Sequence, residues 1–308
     1  MIPGSANPLL LATPATAGGL QIERSLRFNS SDSGYCARTP GTAGNRKTWT
    51  WAGWVKRSEL NGYQWLMTAG SSTGILYSGD GSNNKLNISF TVGSTAGTIT
   101  TAEYRDVAAW AHLTIAVDTT QATSSDRLKI YVNGTQITQF DNTNYPAQNF
   151  DTGFNAVTAH NIGRSVAFSS GYLGGYLANI HFIDGQALTP SSFTETDATT
   201  GQLIPKTYTG SYGTNGFNLL FADNSAATAA TLGKDTSGLS NNWTPNNFSV
   251  VAAGGGASTV TTPASNAPPT VDYLVVGGGG GGGGTGGGGG GGGVRSTVTA
   301  TGGGGSLE

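Results

Sequence analysis

The sequence predicts an all-β protein, a two-sheet antiparallel sandwich over most of its length. Three observations carry that prediction. Apolar and polar residues alternate with a period of two in several runs, the mark of strands with one buried face. Asn-Gly and Asp-Gly dipeptides fall between the runs, and both residues reach positive φ at little cost, as a two-residue hairpin turn requires. Helix-forming composition is missing. Charged residues are 10% of the 308, against about 25% in a typical soluble domain. Ser, Thr, Asn and Gly stand in their place, residues that favour turns and strands over surface helices.

Residues 1–24 are rich in Pro, Ala and Gly and read as an extended N-terminal arm. The arm reads either as a disordered terminus or as a docking segment, since Ile2 and Leu9-Leu10-Leu11 would be wasted on solvent. It lacks a basic start, and its apolar run Leu9–Ala12 falls short of the ~7–15 residues of a secretory leader. The product is therefore expected to be made in the cytoplasm without a signal peptide.

The β domain spans 25–251. Ser25–Asn29 opens it. Thr48–Lys56 follows, rich in Trp, Thr and Val; Trp49 and Trp51 share one face and Trp54 the other, so at least one of these sets belongs to the core. Lys85–Val92 places Leu86, Ile88, Phe90 and Val92 on one side, and His112–Val117 repeats the pattern. Leu128–Ile137 reads as strand, Asn133-Gly134 turn, strand. Asn61-Gly62, Asp80-Gly81, Asp184-Gly185 and Asn215-Gly216 are read as further turns. Thr189–Phe193 predicts a single helical turn, with Thr as cap and Pro at the first position. Residues 252–270 form a linker of Ala, Gly, Ser, Thr and Pro.

Residues 271–308 are a glycine-rich segment. Strand-like Val271–Val276 and Val294–Thr299 flank residues 277–293, where sixteen of seventeen are Gly and Thr285 is the exception. That run is either a flexible linker or polyglycine II packing. The closing Ser306-Leu307-Glu308 reads as a truncation or cloning scar.

Composition also excludes functions. The net charge is -2 and no basic cluster occurs, so nucleic acid is not an expected partner. No run is long and apolar enough for a membrane span. Cys36 is the single cysteine, which leaves no internal disulfide or Cys-ligated zinc and suits a buried structural thiol. His112, His160 and His181 are scattered and read as structural. What remains is a neutral surface of amides and hydroxyls, suited to sugars. Sugar binding needs aromatic faces beside such groups. Tyr63, Trp65, Tyr77, Tyr145 and Tyr172 lie near predicted loops and form the candidate carbohydrate-binding set.

Residues 25–195 resemble a laminin-G-like jelly roll of the concanavalin-A-like superfamily. The pieces stand in family order: Ser25-Leu26-Arg27-Phe28, Trp49–Lys56, Trp110-Ala111-His112 through Asp118, Leu128 through Gly134, Asn161-Ile162-Gly163-Arg164, Gly175–Phe182 and Leu188-Thr189-Pro190. The resemblance implies a jelly-roll sandwich. It also implies a possible calcium ion at the sandwich rim, for which Asp80, Asn83 and Asn84 are the candidate ligands. Glycosidases share this fold and use a Glu-x-Asp-x-x-Glu strand. Glu195-Thr196-Asp197 is the one Glu-x-Asp here, and Thr199-Thr200 follows where a third acid is needed. No catalytic residue is therefore assigned, and these acids read as solvated loop groups.

Three further stretches are similar to proteins of bacteriophage particles: Pro3–Pro8, Asp235–Thr244, and Asp272–Gly277 with its glycine run. That resemblance implies a non-enzymatic tail-fibre, appendage or decoration protein on the virion exterior. Its expected partners are other virion proteins, through the N-terminal arm, and host-surface polysaccharide. A homo-oligomer, with a trimer favoured, is expected. A purely structural decoration or connector protein is the alternative, and a glycan hydrolase the less favoured one.

Overall fold

A computed structural model describes residues 20–70, 73–78, 84–90 and 97–250, together with the backbone of three short strands beyond them. Residues 1–262 form one compact unit and 263–308 another.

The first unit is a sandwich of two eight-stranded antiparallel sheets. The first sheet runs β10 (Thr135–Gln136), β9 (Leu128–Val132), β8 (Ala111–Asp118), β3 (Thr48–Arg57), β13 (Gly175–Asp184), β1 (Ser25–Phe28) and β18 (Val260–Thr261), and β16 (Phe217–Leu219) also pairs with β13. The second runs β11 (Phe140–Asn142), β7 (Thr98–Glu103), β6 (Lys85–Ser89), β5 (Thr73–Ser78), β4 (Gln64–Ala69), β12 (His160–Ile162), β2 (Tyr35–Arg38) and β17 (Thr244–Asn246). A hairpin of β14 (Thr194–Thr196) and β15 (Leu203–Pro205) stands apart. Helix is confined to single turns among the described residues, including the expected one at Pro190–Ser192. The all-β reading is correct.

The core lies between the sheets. Trp49 and Trp51 are fully buried in it, and Trp54 is half-buried on the opposite face of β3. Cys36 is buried there too. A chain of ring contacts runs from Phe154 to Trp49 (4.8 Å), Phe182 (5.8 Å), Phe217 (5.6 Å) and Trp243 (4.9 Å). Each such pair adds roughly 0.5–1.5 kcal/mol beyond its buried area. The chain ties residues 217–243 into the same core as the strands before 195.

Strand β13 decides what faces outward. Leu177 pairs with inward-facing Val55 and Ala178 with Trp54, but the next partner of β3 at Ala52 is His181. Asn179 takes φ 46°, and the extra residue makes a bulge. A regular strand would turn His181 inward. The bulge shifts the parity, so Ile180 and Phe182 fill the core and His181 faces out.

Two buried carboxylates organise the loops. Asp184 accepts from Asn45 N (2.7 Å), Asn155 Nδ2 (3.0 Å) and Asn215 N (2.9 Å). Asp235 accepts from Asn218 N (2.8 Å), Ser237 N (2.8 Å), Ser237 Oγ (2.8 Å) and Asn241 N (2.9 Å). Asn242 Oδ1 accepts from Asp235 N in return (2.8 Å). The stretch Asp235–Thr244 is thus a closed turn that seats Trp243, 1% exposed, on the core.

Among the described Asn-Gly and Asp-Gly pairs, only Asn133-Gly134 has both residues at positive φ (50° and 79°). It makes the expected hairpin, Thr135 opposite Val132. Asn215-Gly216 is a correction. Gly216 is needed for space, because a Cβ there would stand 1.9 Å from Tyr212 O. Strand β6 ends at Ser89; Val92 and the Asp80-Gly81 turn lie outside the described residues. In the second unit, β19 (Leu274–Val276) and β20 (Val294–Ser296) pair antiparallel, Val276 opposite Val294. The glycine run lies outside the described residues, as do residues 1–19 of the arm.

Candidate functional site

Two of the five sequence-chosen aromatics, Trp65 and Tyr172, belong to one region on the outer face of the second sheet, and Tyr63 meets it through its backbone oxygen. Strand β4 begins with Gln64 buried and Trp65 half-buried on the outer face. The Trp65 indole lies on Gly74 of β5, where a Cβ would stand 2.3 Å from Cζ3. Its other end meets Gly171, where a Cβ would stand 2.5 Å from Cδ1 and 3.1 Å from Tyr63 O. Gly171 also takes φ +66°, so glycine is required there twice over. Trp65 N donates to Gly171 O at 3.1 Å. The indole is therefore clamped between the sheet and the loop of residues 163–174.

That loop is closed on itself. Leu173 N donates to Gly163 O (2.8 Å) and Ser165 N to Ser170 O (2.9 Å). Thr68 Oγ1 staples it to the sheet, donating to Arg164 O (3.0 Å) and accepting from Val166 N (3.2 Å). Tyr172 extends from it with its ring 6.5 Å from that of Tyr35 on β2. The Arg164 guanidinium covers the Tyr35 ring at 3.5 Å, a cation–π contact. Asn161, with its amide nitrogen turned to His160 O, accepts from Arg164 Nε at 2.9 Å. Phe168 stands at the loop tip, 58% exposed.

The result is a shelf in which the Tyr35 and Tyr172 rings stand together, the Arg164 guanidinium covers Tyr35, Trp65 lies against the same loop, and Phe168 is exposed at its tip. Such a surface can stack on the apolar face of a sugar and donate from a guanidinium to its oxygens. Sequence reasoning missed Tyr35, Arg164 and Phe168. Tyr35 carried a usable signal: it sits one residue from buried Cys36 and therefore on the opposite face. Arg164 and Phe168 carried none, because the loop fold places them.

Two of the expected aromatics do not join the shelf. Tyr77 is a correction: it is 2% exposed, faces the core with Ile75, and lies beneath the Arg57 guanidinium (4.6 Å). Strand β5 runs one residue past it to Ser78, so the loop begins later than the sequence suggests. Tyr145 is half-buried against the core beyond β11, at the far edge of the sheet from β2. Of the three candidate calcium ligands, Asp80 and Asn83 lie outside the described residues. Asn84 takes φ 40° and has a buried Oδ1 without a partner among the described residues, one oxygen of the six to eight that calcium takes. No group of three His, Cys, Asp or Glu side chains that could hold a metal occurs among the described residues.

The acids of Glu195-Thr196-Asp197 stand on and beside the edge hairpin of β14 and β15. Asp197 Oδ1 accepts from Thr199 N (2.9 Å), Thr200 N (2.7 Å) and Thr200 Oγ1 (2.9 Å), which hold its carboxyl below the usual range. It caps a turn. Burial drives the histidines down, His112 and His181 to about 3 and His160 to about 4, so all three are neutral imidazoles at pH 7.

The family model for the concanavalin A-like lectin/glucanases superfamily matches residues 29–194, more than half of the chain. The chain belongs to this superfamily. No curated protein sequence matches it. Among solved structures, a proposed carbohydrate binding protein from Bacteroides ovatus is similar at 15% identity with a TM-score of 0.51, over 74% of this chain and 59% of that one. A heptameric SAP-like pentraxin from Limulus polyphemus is similar at 17% identity and TM-score 0.38, over 55% and 78% of the two chains. Domains LG4-5 of the mouse laminin α1 chain are similar at 12% and 0.36, over 62% and 48%. The chain thus spans 59% of the length of the Bacteroides protein. At these identities the likeness is one of fold. The lectin-like sandwich of this superfamily ends at 194, and β16, β17 and Trp243 are added to it by the segment that follows.

Proposed function

We propose that the chain is a non-catalytic glycan-binding module of a bacteriophage particle, an exterior appendage that contacts host-surface polysaccharide. The observation that carries the binding is the shelf, where Trp65 lies against Gly171 and Tyr172 stands beside Tyr35 under the Arg164 guanidinium. The lectin-like fold supports it, and so does the nearly uncharged surface composition. The phage setting rests on the resemblance of Pro3–Pro8 and Asp235–Thr244 to particle proteins. With it come docking to other virion proteins through residues 1–24 and a trimeric assembly, while calcium at Asp80, Asn83 and Asn84 comes with the laminin-G-like resemblance.

The test is binding of the purified chain to a panel of bacterial surface polysaccharides, with and without calcium. Saturable binding to one of them is expected. Tyr172→Ala and Phe168→Ala should each weaken it several-fold, the worth of one stacked ring at roughly 0.5–1.5 kcal/mol. Tyr145→Ala, on the far edge, should not. Absence of saturable binding, or binding indifferent to the shelf variants, would overturn the reading and leave a structural decoration role.

A further inference from the structure

A cavity of about 340 Å³ opens on the outer face of the first sheet, away from the shelf. That size falls within the ~300–1,000 Å³ of small-molecule sites. His181 of β13 and Asn218 of β16, opposite each other in register, line it from the sheet. Tyr208 and Tyr212 line it from the segment after β15, with the hydroxyls of Thr207 and Thr209 beside them. The two tyrosine rings meet edge to face at 5.1 Å. No charged side chain lines the cavity among the described residues.

The polar groups are arranged as a set. His181, 1% exposed, shares a 2.8 Å hydrogen bond between Nδ1 and the Tyr212 hydroxyl. With the tyrosine hydroxyl donating to Nδ1, the neutral imidazole carries its own proton on Nε2. That Nε2 and Asn218 Oδ1 are both buried without a partner among the described residues. Buried polar groups in folded proteins are nearly always paired. One unpaired donor and one unpaired acceptor on neighbouring strands are what a hydroxyl satisfies, since it both donates and accepts. Tyr208 supplies a half-exposed ring for stacking.

We infer that this cavity is a separate carbohydrate subsite that takes one neutral pyranose ring, stacked on Tyr208, with one of its hydroxyls received between His181 and Asn218. Apart from His181 and Leu20, its lining comes from residues beyond 194, outside the stretch matched by the superfamily model. It stands independently of the shelf and of the phage setting.

The experiment is saturation-transfer NMR on the full chain with the methyl glycosides of glucose, galactose, mannose and N-acetylglucosamine, in the millimolar range. Transfer to at least one of them is expected. Tyr208→Ala should weaken it at least several-fold. Tyr212→Phe keeps the ring but loses the hydroxyl beside the imidazole, and should weaken binding on the order of tenfold. Near-ultraviolet circular dichroism checks that both variants are folded, and Thr207→Val probes the exposed rim should either fail. Tyr145→Ala, which lies in neither surface, should leave the signal unchanged. No transfer to any of the four, or transfer untouched by Tyr208→Ala and Thr207→Val, would each overturn the inference. Polysaccharide binding that fails while glycoside transfer persists would remove the shelf and keep this subsite.

Discussion

Acidification between pH 7 and 5 should strip this protein of several kcal/mol of stability, and its buried histidines are the cause. His112 packs under the Trp54 ring (5.2 Å), His160 bonds Thr158 O (2.8 Å), and His181 bonds Tyr212. Burial holds their folded-state pKa at about 3, 4 and 3, against ~6.5 in an unfolded chain. With the folded value depressed, the unfolded chain takes up protons first. The stabilisation is therefore complete above about pH 6.5 and is lost as the pH falls towards the folded values. At pH 5 each histidine has moved ~1.5 units below its unfolded pKa. At 1.36 kcal/mol per unit that is about 2 kcal/mol each and about 6 for the three. Folded domains have a total of only ~5–15 kcal/mol. The hydrogen-bonded aspartates Asp118, Asp141, Asp197 and Asp223 all titrate below 3.8, so they do not contribute in this window. Urea unfolding followed from pH 7.5 to 5 should show the midpoint falling by about 3 M, taking a slope near 2 kcal/mol/M. His181→Gln should remove about a third of that dependence. A midpoint that stays level over the range would refute the reasoning.

Other perturbations have equally definite outcomes. Gly74→Ala puts a Cβ against the Trp65 indole at 2.3 Å and should cost ~1–3 kcal/mol by overpacking, with the 163–174 loop loosened in hydrogen exchange. Asp235→Ala strands four hydrogen-bond donors and should destabilise by ~3 kcal/mol or more in urea. Trp243→Ala should cost ~3–5 kcal/mol, in one unfolding transition shared with the rest of the sandwich, because its ring contacts run through Phe217 to Trp49. Cys36 is buried and its thiol is pushed far up by desolvation, so a thiol reagent should label it only after urea unfolding.

Much of the fold was legible because its signals are local. Alternation in Thr48–Lys56 and His112–Val117 sets which side chains share a face, whatever the strand later pairs with. Asn133-Gly134 specifies its hairpin within four residues. The proposed binding surface was legible only in part. Tyr63, Trp65 and Tyr172 were chosen from their residue type and nearness to loops. The same rule also took in Tyr77, which one further residue of strand turned into core, and Tyr145, which the sheet order carried to the opposite edge.

The sequence by itself determined an all-β sandwich and a composition of amides and hydroxyls with little charge, since those follow from short-range periodicity and residue content. Tertiary structure alone decided which aromatics meet. Trp65 reaches the 163–174 loop through the room left at Gly74 and Gly171, residues brought together by strand pairing and loop closure across about a hundred positions of chain. One bulged residue at Asn179 turns His181 from core to cavity, and Asp235 closes the turn that carries the cavity's far side. These are contacts between distant segments, and no local pattern encodes the geometry that sets them.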